Sequence, residues 1–180
     1  MRPIQILAIP GSLRPASSGN IILEHVMEMF PDHVIATRYS GVGGLPHFDD
    51  SSHVPEPVHE FREQVARADG ILICQPEYAF GVAGSLKNAL DWTVGSGDFV
   101  NKPVALITAA TVGENAHAAM KLTLTAMNAI LVEAAMLTIP FVKSRLAGGA
   151  IKEAQLTTQL QFVVTAFVRF IESYLPDKTR

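Results

Sequence analysis

Segment 10–20 combines three serine hydroxyl groups, one guanidinium group and the predicted start of a helix. It reads Pro-Gly-Ser-Leu-Arg-Pro-Ala-Ser-Ser-Gly-Asn and directly follows a short apolar run. Phosphate groups are bound by such donors, because a helix N-terminus offers backbone N–H groups and a positive dipole end beside Ser and Arg side chains. The segment therefore predicts a phosphate site, with the candidate residues Gly11, Ser12, Leu13, Arg14, Ser17, Ser18 and Asn20. The alternative is that Ser17 or Ser18 merely caps the helix.

Known glycine-rich nucleotide motifs do not explain this segment. The sequence contains no G-x-x-x-x-G-K-[ST] pattern, which excludes a P-loop for nucleoside triphosphates. It also contains no G-x-G-x-x-G, and the glycines of segment 41–44 follow the wrong strand.

Two further loops carry residues suited to a flat ring system. Tyr78 and Phe80 follow the third apolar run, and Gly81 and Gly84 lend backbone freedom before a helix. Segment 108–113 follows the fourth run, and its small residues allow the backbone to approach a ring edge that accepts N–H bonds. Helix capping by Thr111 and Asn115 is the alternative for this loop. Together, the loops indicate a ligand with a flat ring and a phosphate tail.

Short apolar runs and helical spacing of apolar residues predict the elements that position these loops. Five short apolar runs predict strands: Ile4–Ile9, His33–Thr37, Gly70–Cys74, Val104–Thr108 and Ala134–Ile139. Helical spacing between and after them predicts five helices, around 21–30, 58–68, 86–92, 120–131 and 156–174, the last stopped by Pro176. This βα alternation requires a mostly parallel sheet with helices on both faces. In the strand order 2-1-3-4-5, the ligand crevice lies at the carboxyl ends of the first and third strands.

Composition excludes several other classes of protein. A chain of 180 residues predicts one domain, 1–180, and a formal charge of −3 argues against a nucleic-acid binder. One cysteine, no signal-like start and no apolar run of about 20 residues predict a cytoplasmic protein that binds no membrane. His47, His53 and His59 lack helical ligand spacing, so no metal site is expected.

The segment from Pro76 to Trp92 resembles the NADPH-dependent FMN reductase family. The resemblance lies in Pro76-Glu77-Tyr78 and in Gly84-x-Leu86-Lys87-Asn88-Ala89-x-Asp91-Trp92. Segments 11–14 and 102–113 are similar to the family's other cofactor contacts, and the resemblance covers roughly residues 4 to 140. It implies a flavodoxin-like three-layer α/β/α sandwich whose five-stranded parallel sheet has the order 2-1-3-4-5. It also implies an FMN site formed by Pro76, Glu77, Tyr78, Ala79, Phe80, Thr108, Ala109, Ala110 and Gly113, besides the phosphate residues.

The same resemblance implies an activity. NADPH or NADH would pass a hydride to flavin N5, and a quinone, free flavin or similar small acceptor would then be reduced in a ping-pong sequence. No side chain is assigned as a general acid or base, because the chemistry belongs to the cofactor. The alternatives are a flavodoxin-type electron carrier without turnover of its own and a chain that keeps the fold without binding flavin. The family commonly has Asn where this chain has Ala79 and Pro where it has Ala83, so a side-chain hydrogen bond near the flavin is expected to be absent.

The resemblance further implies a homodimer or homotetramer packed through segments 86–92 and 116–131. Two groups of side chains support this expectation from the sequence. Leu45, Phe48, Phe80 and Val82 are expected to be exposed beside the crevice, and Met120, Leu124, Met127 and Leu131 to form a self-complementary face. The alternative is a monomer in which that face packs wholly on the sheet. Lys87, Asn88 and Asp91 are expected to fix the junction between loop and helix, or to pair across subunits.

Overall fold

Five parallel strands form the central sheet in the order β2-β1-β3-β4-β5, as the sequence predicts. The computed structural model describes residues 2–175. The strands are β1 (Ile4–Pro10), β2 (Val34–Arg38), β3 (Gly70–Gln75), β4 (Pro103–Ala109) and β5 (Ile130–Ile139). The helices are α1 (Ser18–Glu28), α2 (Glu56–Arg67), α3 (Gly84–Val94), α4 (Glu114–Ala126) and α5 (Ala154–Tyr174). Short 3-10 helices cover Val42–Gly44 and Val142–Arg145, and a small antiparallel pair, β6 (Leu146–Ala147) and β7 (Ala150–Ile151), precedes α5.

Two hydrophobic cores lie on opposite faces of this sheet. One contains residues of α1 and α5, and the other contains residues of α2, α3 and α4. All residues of β3 and β4 are buried, because both faces of these central strands are covered. This arrangement confirms the predicted flavodoxin-like three-layer α/β/α sandwich.

The fourth helix ends earlier than the sequence predicts. Leu131 lies in β5 and not in a helix, and β5 begins at Ile130 rather than at Ala134. The reason is local, because α4 ends at Ala126 and Asn128 adopts a left-handed conformation with φ of 55°. Asn tolerates that conformation, which ends a helix and turns the chain into the strand. The proposed end of the last helix at Pro176 lies outside the described residues.

The expectation that Met and Leu side chains of the predicted fourth helix form an exposed, self-complementary face is also wrong. Met120 and Leu124 are fully buried and Met127 is 6% exposed, all within the core on the sheet. Leu45, expected to be exposed, is buried as well, and Val82 is partly buried. The side chain of Leu122, which lies on α4 between these core positions, is 73% exposed.

The C-terminal part of the motif, in α3, anchors the long loop before α2. Asn88 accepts a hydrogen bond from the backbone N–H of Phe48 (2.8 Å) and donates one to the carbonyl of Pro46 (2.9 Å). The indole of Trp92 donates to the same carbonyl at 2.8 Å. Asn88 therefore fixes the loop before α2 to α3, rather than the junction between the loop after β3 and α3 that was expected, and Lys87 pairs with Asp91 within α3. Across residues 2–175, no helix has the length and apolar character needed to span a membrane.

Candidate functional site

The loop after β1, residues 10–17, is called here the phosphate loop. Gly11 sits so close to β3 that a Cβ atom would lie 2.7 Å from the Cα of Gln75, so only glycine fits there. Ser17 is the N-cap of α1, and its hydroxyl accepts from the N–H of Asn20 at 3.2 Å. The amide group of Asn20 donates to the carbonyl of Arg14 at 2.8 Å, from a buried position. Ser17 and Asn20 thus shape the phosphate loop from within.

The side chains that remain at the surface of this loop suit an anion. Arg14 is exposed and Ser18 is partly exposed at the first turn of α1. That turn contains no acidic residue, so its backbone N–H groups and dipole face no carboxylate of their own. A guanidinium, a hydroxyl and a helix N-terminus together form a donor set for a phosphate dianion.

The loop after β3 forms a tight turn that projects two aromatic rings. The N–H and carbonyl groups of Tyr78 and Gly81 bond reciprocally, at 3.1 and 2.9 Å. Ala79 and Phe80 between them have φ values of 48° and 59°, which is the pattern of a type I′ turn. The Tyr78 hydroxyl lies 3.4 Å from the Ser12 hydroxyl, so this turn contacts the phosphate loop. The rings of Tyr78 and Phe80 are 54% and 74% exposed.

Glu77 has a structural role that its place in the sequence does not indicate. Its carboxylate accepts from the N–H of Gly113 at 3.2 Å and from the N–H of Ala116 at 2.9 Å. It therefore caps α4 from outside, and neither Thr111 nor Asn115 supplies a side-chain cap. Gly113 has a φ of 99°, which strongly favours glycine at that position. The loops after β3 and β4 are thereby tied together.

Segment 108–113 presents fewer groups to a ligand than the sequence suggests. Thr108, Ala109 and Ala110 are buried, and the N–H of Ala110 donates to the carbonyl of Ile139 at 3.2 Å. Thr111 and Val112 are the exposed residues of this segment. They are absent from the predicted site, because Thr111 was considered only as a helix cap and Val112 carries no polar group.

A buried polar network supports these loops, and it too was missed. Thr108 lies 3.2 Å from the amide nitrogen of Gln75 and 2.9 Å from Nδ1 of His117. The Gln75 amide also donates to the carbonyl of Ala116 at 3.0 Å. Burial lowers the pKa of His117, and the positive charge of Lys121 lowers it further, against an opposing effect of Glu133. Gln75 and Thr108 are register partners in adjacent strands, which is the signal that would have placed them together.

Cys74 is not a reactive group in this site. Its thiol is fully buried and donates to the carbonyl of Gly19 at 3.1 Å. Burial raises its pKa to about 12, so the thiolate form is disfavoured. Among residues 2–175, no three His, Cys, Asp or Glu side chains come together in a way that would hold a metal ion.

An apolar rim completes the carboxyl edge of the sheet. Large side chains are exposed on the loops after three strands: Leu13 after β1, Tyr78 and Phe80 after β3, and Val112 after β4. Covering this apolar surface would stabilise a bound flat ring, because it removes apolar area from water. The phosphate loop beside this surface supplies hydrogen-bond donors for an anionic tail. The residues present therefore fit a ligand such as FMN.

The chain is similar to known FMN and quinone reductases. Residues 4–143 match the sequence profile of the family described as NADPH-dependent FMN reductase. An NAD(P)H-dependent FMN reductase of Pseudomonas aeruginosa is 33% identical over 111 residues, which are 59% of this chain and 60% of that protein. A 2-hydroxy-1,4-benzoquinone reductase of a Burkholderia species is 38% identical over 109 residues, 58% of this chain and 59% of that protein. The matched region thus spans about three fifths of these relatives' length.

A solved structure agrees over nearly the whole chain. The flavoenzyme FerB, an NAD(P)H:(acceptor) oxidoreductase from Paracoccus denitrificans, superposes with a TM-score of 0.85. The superposition covers 95% of this chain and 98% of FerB, at 24% sequence identity. This likeness establishes the fold.

Proposed function

Because the chain belongs to the NADPH-dependent FMN reductase family, we propose that it is an oxidoreductase that holds FMN and uses NADPH or NADH to reduce small acceptors such as quinones. When bound, FMN takes up electrons as hydride from a reduced nicotinamide and releases them to an acceptor. One observation carries the proposal: three loops meet at the carboxyl edge of the sheet, with an anion donor set beside an apolar rim.

The protein's own residues bind and orient in this proposal. Arg14, Ser18 and the first turn of α1 would hold the phosphate. Tyr78 and Phe80 would border the ring on one side and Thr111 with Val112 on the other. Glu77 keeps the two ring-bordering loops at a fixed separation through its bonds to α4.

Donor and acceptor would use the same open crevice in turn, so we propose ping-pong kinetics. The test is steady-state oxidation of NADPH and NADH by the FMN-loaded protein with a benzoquinone and no other protein. We expect turnover and parallel lines in double-reciprocal plots. Bound FMN without turnover until a protein partner is added would instead identify an electron carrier, and failure to bind FMN would reject the cofactor assignment.

We also propose that the protein is a homodimer. The support is the exposure of Leu122 on α4 (73%) and of Phe80 near the crevice (74%), since a second copy could cover such apolar groups. Light scattering is expected to give a multiple of the 19.4 kDa chain mass, and Leu122→Glu is expected to lower it. A wild-type mass of 19.4 kDa at micromolar concentration with FMN bound would contradict the proposal.

A further inference from the structure

A cavity of about 350 Å³ lies beside the phosphate loop, on the side of the edge strand β2. One wall comes from the phosphate loop and includes the buried Ser12. The other wall comes from the end of β2 and the segment after it, with Arg38, Ser40, Gly43 and Gly44. The cavity thus lies at the carboxyl ends of β1 and β2, whereas the ring-bordering loops follow β3 and β4.

Arg38 gives this cavity a positive charge. Its side chain is 31% exposed and pairs with Glu24 of α1, through one guanidinium nitrogen and one carboxylate oxygen. A guanidinium carries five N–H donors, so this ion pair leaves donors for a second anion. Arg and Ser groups around one small cavity form the donor set that recognises a phosphate monoester.

The position of the cavity suits the far end of a nicotinamide dinucleotide. In Rossmann folds, whose first βα turn binds the pyrophosphate of the dinucleotide, an Arg near that turn accommodates the 2′-phosphate of the adenosine ribose, and Arg38 is the Arg at the end of the strand beside β1 here. Here β2 lies directly beside β1, and the distance from β2 to β4 is three strand spacings, or about 14 Å. A dinucleotide whose nicotinamide lies at the loops after β3 and β4 would extend its adenosine end toward β2.

Gly44 lines the cavity and borders open space. A Cβ atom on Gly44 would meet no other atom within 4 Å, and the φ of this residue is not in the left-handed region. A larger side chain there would fill space without straining the backbone. Gly44 therefore offers a steric probe of the cavity that is independent of charge.

We propose that this cavity receives the 2′-phosphate of NADPH and that Arg38 determines a preference for NADPH over NADH. The proposal rests on the proposed function and names its electron donor. Glu24 competes with the phosphate for Arg38, so the two residues have opposite effects. Removing the positive charge weakens phosphate binding, and removing the negative charge strengthens it.

Calorimetric titration of the FMN-loaded protein with adenosine 2′,5′-bisphosphate and with 5′-AMP tests the site without turnover. The bisphosphate is expected to bind more tightly, and Arg38→Gln is expected to weaken it about tenfold or more while 5′-AMP is unchanged. Glu24→Gln is expected to tighten the bisphosphate several-fold. The matched control is Arg145→Gln, whose side chain is 26% exposed and paired with Glu153, and no change is expected there. Equal affinities for the two nucleotides, or equal losses in both Arg variants, would overturn the proposal.

Two further measurements test whether the cavity binds the 2′-phosphate. Gly44→Leu should weaken the bisphosphate even if Arg38→Gln does not fold, and unchanged binding in that variant would also count against the site. Mutual exclusion of FMN and the bisphosphate on the apoprotein would assign the cavity to the FMN phosphate and overturn the proposal.

Kinetics then separates this proposal from the proposed function. If the FMN-loaded wild type oxidises NADPH, Arg38→Gln should lower kcat/KM for NADPH about tenfold and leave that for NADH unchanged. Turnover with an unchanged NADPH to NADH ratio in this variant would reject the 2′-phosphate site alone. Absence of any nicotinamide oxidation by the wild type would reject the proposed function, while the calorimetric comparison still decides the phosphate site.

Discussion

Replacing Ala79 by Gly should stabilise the protein, although it removes a methyl group. Ala79 is exposed and has a φ of 48°, so its methyl group contributes no burial and strains the turn. A left-handed conformation costs an L-residue about 1–2 kcal/mol, and the added freedom of Gly in the unfolded chain costs about 0.5–1 kcal/mol. The net expectation is a gain of about 0.5–1 kcal/mol in the free energy of unfolding. For a domain of this size, that gain raises Tm by about 1–4 °C.

A matched substitution of Ala by Gly on a helix should lower the free energy of unfolding instead of raising it. Ala118 is also exposed, but it lies in the interior of α4, where Gly costs about 1 kcal/mol relative to Ala. Urea unfolding of the apoprotein measures both changes. A loss of stability in Ala79→Gly equal to that in Ala118→Gly would refute the left-handed assignment. Ala79→Asn should behave like Ala79→Gly and bind FMN at least as tightly as the wild type, because Asn tolerates the left-handed region.

Three further substitutions test the phosphate loop, the loop junction and the buried network. Arg14→Ala should weaken FMN binding by about 1–3 kcal/mol in a fluorescence titration, since it removes a charge-assisted bond, and an unchanged Kd would reject the assignment. Glu77→Gln should lower the free energy of unfolding by about 1–2 kcal/mol in urea, because an amide has one acceptor oxygen for the two N–H groups, whereas Glu114→Gln at the exposed first position of α4 loses only a dipole interaction and should cost less. The lowered pKa of His117 means that the unfolded chain binds its proton more readily, so stability should fall as the pH drops below 6.5. His117→Gln should reduce that pH dependence in urea titrations, and an identical pH profile would contradict it.

The sheet and its helices could be predicted because their signals are continuous. Buried strands such as β3 and β4 are apolar at nearly every position, which fixes both their existence and their parallel arrangement. The error at Leu131 arose because an apolar residue fits both a helix face and a strand. The left-handed conformation of Asn128 decided between them, and that conformation is a property of the folded turn.

The sequence could predict which loops form the candidate site, but not the role of each side chain in those loops. Glu77 was expected beside the flavin, and nothing in the sequence indicates that its carboxylate also caps a helix that begins 37 residues later in the chain. The share of His117 in the network depends on the contact between α4 and the ends of two strands, which no local pattern encodes. The left-handed conformation of Ala79 likewise belongs to the folded turn and is not indicated by its residue type.

The role of the phosphate loop is tested most directly by a comparison of FMN with riboflavin, which has the same ring and no phosphate. Fluorescence titration of the apoprotein should show FMN binding about 10- to 100-fold more tightly, and Arg14→Ala should narrow that gap. The variant Arg67→Ala, at a surface position on α2, is the control and should leave the gap unchanged. Equal affinities of the wild type for FMN and riboflavin would contradict the assignment of the phosphate loop, on which the proposed function depends.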